Sequence, residues 1–329
     1  MSLRIVIAGA GSIGCFVGAL LADAGHDVTL LGRPRVFDEI RAHGLSATDF
    51  AGLACRPDAD RLTLSQAPAC LAGADVILVT VKTAATTGIA DRIAEYSPVT
   101  APVISLQNGL AAIASLRAAL PDRDLRAGMV PFNVVPMGQG RYHRATSGDI
   151  VIGAGPGDLA RRLAVPGLAI AEADDMAKVQ WGKVLVNLNN ALNALSGMRL
   201  LEQLMHRDWR CLMADQMAEA LAVLRAAGQP VRSMTPLPAE LVPHLLRLPT
   251  PLFRRIAARM LTIDPTARTS MAHDLLAGRP TEVAAFQGAI CELGARHGVA
   301  TPINARVMAL IRVAEASGGA ALSVAQIRG

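Results

Sequence analysis

The chain has 329 residues, 52% hydrophobic and 18% charged, with a net charge of +5 and a pI near 9.3. That length and composition support two folded domains with real cores and exclude a disordered chain. The basic excess does not point to nucleic acid, because the arginines are scattered, no run of five or more basic residues occurs, and aromatics are only 3%. A phosphorylated or carboxylated small molecule explains the mild positive balance equally well.

In chain order, "RIVIAG" (4–9) predicts a buried strand, followed by a helix through about Ala24. "HDVTLLG" (26–32), "ADVILVTVK" (74–82) and "PVISLQ" (102–107) predict further strands. A helix near 110–119 precedes "AGMVPFNVV" (127–135), also read as extended. "RYHRATSGDIVIG" (141–153) reads as a hairpin around a Ser-Gly-Asp turn. Strands alternating with helices imply βαβ units in a parallel sheet, here with an antiparallel extension.

From about Asp174 helical periodicity dominates, over 175–197, 202–228, 237–262, 281–297 and 302–316. Pro249 and Pro251 should break the third of these into two shorter helices. The expected fold is an α/β Rossmann-type doubly wound sheet over residues 1–170 and an all-α domain over 171–329. The join lies near 165–175, and clefts between such domains are favoured ligand sites.

Five cysteines without C-x-x-C spacing read as reduced thiols, not as disulfides or a metal site. Residues 3–22 are apolar, but glycines interrupt them and Asp23 and His26 follow at once, so neither a membrane anchor nor a signal peptide is expected. The expected location is cytoplasmic. A homodimer through the helical half is compatible with the sequence, although no apolar stripe specifies one.

"GAGSIG" (9–14) carries Gly9, Gly11 and Gly14 in G-x-G-x-x-G spacing, directly after a strand and opening a helix. Gly9 suits a tight turn, Gly11 lets the backbone approach a pyrophosphate, and Gly14 allows close helix packing. The helix N-terminus offers unbonded N–H groups to phosphate oxygens. Gly9, Ala10, Gly11, Ser12, Ile13 and Gly14 are therefore assigned to a dinucleotide. After the second strand stand Leu31, Gly32, Arg33, Pro34 and Arg35, with no carboxylate for a ribose 2′-hydroxyl. Arg33 can pair with a 2′-phosphate, so NADPH is the expected cofactor.

The chain has 29 arginines but only three lysines, Lys82, Lys178 and Lys183. A lysine can donate a proton where arginine cannot. In "WGKVLVNLNNALNAL" (181–195), Lys183, Asn187 and Asn190 fall within an arc of roughly 60° on a helix, while Asn189 and Asn193 lie off it. One line of an otherwise apolar helix thus presents an ammonium and two amides. "SLQNGL" places Asn108 at the carboxyl end of a predicted strand, where open α/β sheets bind ligands. "SMAHDLLAGRPTEVAAFQG" (270–288) adds Ser270, Asp274 and Glu282.

These motifs together resemble the ketopantoate reductase family (2-dehydropantoate 2-reductases) over essentially the whole chain. The matching features are "GAGSIG", "GHDVTLLGR", "VKT", "LQNG", "WGKVLVN" and "SM" followed by "TE". The resemblance implies that Lys183 is the proton donor, and that Asn187 and Ser270 bind substrate. It also places Glu282 near the nicotinamide ribose and substrate, and Asn108 and Lys82 along the cofactor and substrate cleft. The family often carries a second asparagine eight residues after the lysine; here that position is Ala191, with Asn190 beside it.

The implied reaction is NADPH-dependent reduction of 2-dehydropantoate to pantoate, a step toward pantothenate and coenzyme A. Two rivals remain open at this stage. One is a reductase of another 2-oxo acid, and the other is a non-catalytic NADPH-binding regulator, which would need no proton donor.

Overall fold

Arg4–Ala8 form the first strand, β1, whose alternation sends Ile5 and Ile7 to one core and Val6 and Ala8 to another. Both faces are covered, as a central strand of a doubly wound sheet requires. The computed structural model describes residues 2–261, 263–318 and 321–329, in two compact units, Met1–Met176 and Ala177–Gly329.

In the first unit β1 is followed by α1 (Ser12–Asp23), β2 (Asp27–Leu31), α2 (Pro34–His43), β3 (Ser46–Asp49), β4 (Ala54–Cys55), β5 (Leu62–Ser65) and β6 (Val76–Val79). Then come α3 (Thr86–Tyr96), β7 (Val103–Ser105), α4 (Ala111–Ala119), β8 (Leu125–Met129), β9 (Val134–Gly138) and β10 (Arg141–Arg144). β11 (Ile150–Gly153), α5 (Leu159–Leu163) and β12 (Ile170–Ala173) complete it. The main sheet has the order β12-β11-β8-β7-β6-β1-β2-β5. Its pairs are parallel except β11 against β8. From β1 the chain runs to β2 on one side and returns to β6 on the other, so strand order reverses there, where such sheets bind ligands.

A second sheet, β4-β3-β10-β9, packs on α1. One core joins α1, this small sheet and Ile5, Ile7, Leu30, Leu78 and Ile104 of the main sheet; the other lies under α3 and α4. Each fully buried aliphatic side chain of this kind contributes roughly 1.5–3 kcal/mol.

Two extended segments differ from the sequence expectation. Residues 127–135 are not one strand: β8 ends at Met129 in the main sheet and β9 starts at Val134 in the small one. Pro131 lies between them and has no N–H to give a ladder. Residues 141–153 are not a hairpin either, since β10 pairs with β9 and β3 while β11 pairs with β8 and β12. β10 meets β9 across Gln139 and Gly140, both at positive φ (56° and 67°), the backbone that a tight hairpin turn demands.

The second unit contains α6 (Met176–Ser196), α7 (Leu200–Met205), α8 (Arg207–Ala226), α9 (Val242–Arg247), α10 (Thr250–Ile256) and α11 (Ser270–Leu276). A π-helical stretch, Ala284–Gly288, runs into α12 (Ala289–Arg296), followed by α13 (Pro302–Ser317) and α14 (Val324–Arg328). The expected helix 202–228 is divided at His206, whose backbone is extended. The segment 237–262 divides at Leu248 and Pro249, as its prolines require; residue 262 lies outside the described residues. Its anchor is Arg210, fully buried on α8, which donates to the carbonyls of Leu204, Leu246 and Leu248 at 2.9, 3.1 and 2.8 Å. The same guanidinium sits 4.3 Å from the centre of the Phe253 ring.

Candidate active site

In the first unit the glycine loop follows β1 directly and its geometry is enforced from two sides. The N–H groups of Gly9 and Ala10 both donate to Leu31 O at the end of β2, at 3.0 and 3.2 Å. From β6, Thr80 Oγ1 donates to Gly9 O at 2.6 Å. Gly9 stands at φ +129°, and a Cβ there would come within 2.6 Å of Val81 N. A Cβ on Gly14 would overlap the Gly9 carbonyl oxygen, and one on Gly32 would overlap Ala10 Cβ. Gly9 and Gly14 let backbone lie against backbone, and Gly32 makes room for the Ala10 side chain.

Gly11 is different. A Cβ there would meet nothing within 4 Å. It is the N-cap of α1, with no side-chain cap and no acidic residue in the first turn. The first-turn N–H groups of α1, together with the helix dipole, therefore face open space suited to an anion. The residues present fit the phosphates of a dinucleotide.

The other candidates of this unit sit at the carboxyl ends of neighbouring strands. Arg33 is exposed just past β2, as the N-cap of α2. Lys82 is exposed after β6, and Asn108 is half-buried in the loop after β7. Gln107, buried, organises these loops: its Nε2 donates to Val81 O at 3.0 Å and to Thr86 Oγ1 at 2.8 Å, while Ser105 Oγ donates to its Oε1 at 3.1 Å.

In the second unit the asparagines of α6 differ in their hydrogen bonding. Asn189 and Gln203 exchange amide hydrogen bonds at 3.4 and 3.1 Å. Asn193 donates to Met198 O and accepts from Thr269 N, both at 3.1 Å. Asn187 and Asn190 are buried, yet their side-chain amides make no hydrogen bond among the described residues. Lys183, on their line, is half-buried, and desolvation lowers its pKa from 10.5 to about 8.

Gly182 explains the "WGK" triplet. A Cβ there would overlap the Arg232 carbonyl oxygen, and Arg232 N donates to Lys178 O at 3.0 Å, so the chain crosses α6 one residue before Lys183.

Ser270 is the first residue of α11, and Glu282 lies in a bend just before the helix that begins at Val283. Both are half-buried. Thr269, Gln287, Thr80, Gln107 and Gly182 escaped the sequence reading. Thr269 caps α11, its side chain accepting from Ala272 N, and it stands where a helix-start threonine is expected. A threonine ending the aliphatic run "VILVT" was the available signal for Thr80. Nothing in the sequence marks Gln287.

Among the described residues, no helix is long and apolar enough to cross a membrane. The profile described as "Ketopantoate reductase PanE/ApbA" matches residues 5–157, and its C-terminal counterpart matches 175–315. A 2-dehydropantoate 2-reductase of Halobacterium salinarum is 26% identical over 337 residues, covering 96% of this chain and 100% of the relative. The crystal structure of a PanE/ApbA family ketopantoate reductase from Ralstonia eutropha JMP134 superposes with a TM-score of 0.80 at 28% identity, covering 96% of this chain and 99% of the other. A D-mandelate dehydrogenase solved with NADH and anilino(oxo)acetate shares the fold, with a TM-score of 0.78 at 22% identity over 96% of this chain and 99% of that one. Matched in both halves and in order, with a dinucleotide-type glycine loop built as described, the chain belongs to the ketopantoate reductase family of oxidoreductases.

Proposed function

We propose that the chain reduces 2-dehydropantoate to pantoate with NADPH. The observation that carries this reading is the α6 stripe: Lys183, its pKa lowered to about 8, in line with two buried amides. Gly9, Ala10, Gly11, Ser12, Ile13 and Gly14 would hold the pyrophosphate, with Lys82 and Asn108 toward the rest of the cofactor and Arg33 on a 2′-phosphate. When bound, NADPH supplies the hydride that the keto carbon accepts.

Charge builds on the carbonyl oxygen as its carbon is reduced. The Lys183 ammonium stabilises that charge and passes a proton to the oxygen, leaving a hydroxyl group and a neutral amine. A donor with a pKa near 8 is still charged at neutral pH and gives up its proton more readily than an ordinary lysine. Asn187, Asn190 and Ser270 hold the substrate's polar groups, and Glu282 orients the substrate and the ribose.

A second reading keeps the chemistry and changes the acid. Ala191, fully buried, stands where the family often has a second asparagine, so one polar contact to the substrate would be missing. Comparing NADPH oxidation across ketopantoate and a small panel of other 2-oxo acids separates the two. Ketopantoate should give the highest kcat/KM; a preference for another acid by tenfold or more decides for the second reading. NADH run in parallel tests Arg33: Arg33→Ala should raise KM for NADPH at least about tenfold and leave NADH unchanged. An equal effect on both cofactors removes Arg33 from that role.

A further inference from the structure

We infer that Thr269 and Gln287 are positioning residues for this reaction, an inference that rests on the reductase reading above. The segments carrying Ser270 and Glu282 are each fastened to α6 by a buried side chain. Thr269 Oγ1 donates to Asn190 O at 3.2 Å, and Gln287 Nε2 donates to Leu188 O at 2.9 Å. Thr269 is 2% exposed and Gln287 not at all. Both acceptors are main-chain carbonyls in one turn of the helix, between Asn187 and Asn193.

Thr269 makes three hydrogen bonds, two of them to α6. Besides the hydroxyl donation, Thr269 N donates to Asn193 Oδ1 at 3.1 Å, and Thr269 Oγ1 accepts from Ala272 N at 3.4 Å. Ser270 is thus bracketed by residues bonded to α6 and to its own helix. Arg268 adds donations to Gly197 O and Met198 O at 2.7 and 3.0 Å. Asn193, off the Lys183 stripe, therefore serves the site indirectly, by holding the backbone next to Ser270.

The Gln287 dock lies in the π-helical stretch that begins two residues after Glu282. Such wide turns are rare and recur at functional sites. The start of the segment is pinned separately, since Thr281 N donates to Glu315 Oε1 at 2.7 Å. Gln287 holds its far side, and its Oε1 is buried without a hydrogen-bond partner among the described residues. An amide buried with half its capacity unused is costly, and packing alone would favour an apolar residue of the same shape. The donor bond to α6 is what the amide provides. With both docks made, the serine and the carboxylate keep a set register along the helix that carries Lys183, Asn187 and Asn190.

Double-mutant cycles test whether these residues act through their neighbours. Thr269→Val should raise KM for the 2-oxo acid about tenfold with kcat nearly unchanged, and Thr269→Ser should restore the wild-type KM. NADPH affinity, read by fluorescence titration, should stay within about twofold in Thr269→Val, whereas a merely unfolded fraction would lower kcat and the amplitude of the titration and leave KM unchanged. Adding Thr269→Val to Ser270→Ala should have no further effect on KM. Gln287→Met should lower kcat about tenfold and add little to Glu282→Gln. Should Thr269→Val fail to fold, Thr269→Cys carries the same cycle. Unchanged kinetics in a folded variant, or effects that simply multiply in a cycle, overturn the role of that residue. Wild-type protein that turns over no 2-oxo acid sinks the reductase reading itself and this inference with it.

Discussion

Asn189 and Gln203 face each other inside the helical unit and exchange amide hydrogen bonds, Gln203 Nε2 donating to Asn189 Oδ1 at 3.1 Å and Asn189 Nδ2 returning one at 3.4 Å. Two residues away on α6, the Asn187 amide has no such partner among the described residues. Identical side chains on one helix thus differ in what they bond. Gln203→Leu should cost about 1–3 kcal/mol of stability in urea titration by leaving Asn189 unsatisfied, while kcat and KM of the folded enzyme stay near wild type. Asn187→Ala should do the reverse, raising KM with little change in stability. A KM defect in Gln203→Leu would contradict this division.

The glycine loop predicts two different failures. Gly14→Ala forces its methyl into the Gly9 carbonyl oxygen, so the loop must move and the protein should lose both stability and dinucleotide affinity. Gly11→Ala meets open space, and the melting temperature should not change. Its methyl instead occupies the volume offered to the phosphates, and nucleotide affinity should fall at least about tenfold. Unaltered nucleotide affinity in Gly11→Ala would remove the phosphates from that position.

The lowered pKa of Lys183 has consequences of opposite sign for activity and stability. As proton donor the ammonium is needed, so kcat/KM for reduction should be level below pH 8 and fall tenfold per pH unit above it; Lys183→Ala should lose most turnover and the alkaline limb with it. For folding, the buried charge is a penalty, fully present below about pH 8. Between about 8 and 10.5 the unfolded chain keeps a proton that the folded one has released, so stability rises with pH across that window. Lys183→Met should therefore be more stable than wild type at pH 7, by roughly 1–3 kcal/mol after allowing for partial solvation, with the gap closing toward pH 10.5. Equal stability at both pH values would show that the ammonium is not desolvated.

Arg210 holds the junction between α9 and α10 in place. Its guanidinium holds three carbonyls, those of Leu204, Leu246 and Leu248, and burial pulls its pKa down from the ordinary value. Arg210→Met keeps the bulk and leaves those carbonyls without a donor. A stability loss of about 2–4 kcal/mol is expected in thermal or urea unfolding. A variant as stable as wild type would show that water satisfies the carbonyls equally well.

By itself the sequence determined what depends on local spacing. The aliphatic runs of β1, β2, β6 and β7 mark buried parallel strands because both faces are covered. "GAGSIG" after a strand marks a tight glycine loop because Gly9 and Gly14 leave no room for a Cβ, and the line of Lys183, Asn187 and Asn190 follows from 3.6 residues per turn. Tertiary structure decided what depends on partners far along the chain. β9 and β10 left the main sheet for a second one because their ladder partners, each other across Gln139 and Gly140 and then β3, cannot be read from residues 127–153 alone. The roles of Asn189 and Asn193 were settled by Gln203 and Thr269, 14 and 76 residues away. Gln287 carries no local pattern at all, and it gains its role only when folding brings it, across 99 residues, to the carbonyl of Leu188. A hydrogen bond between distant segments has no period, and so it leaves no trace in a single sequence.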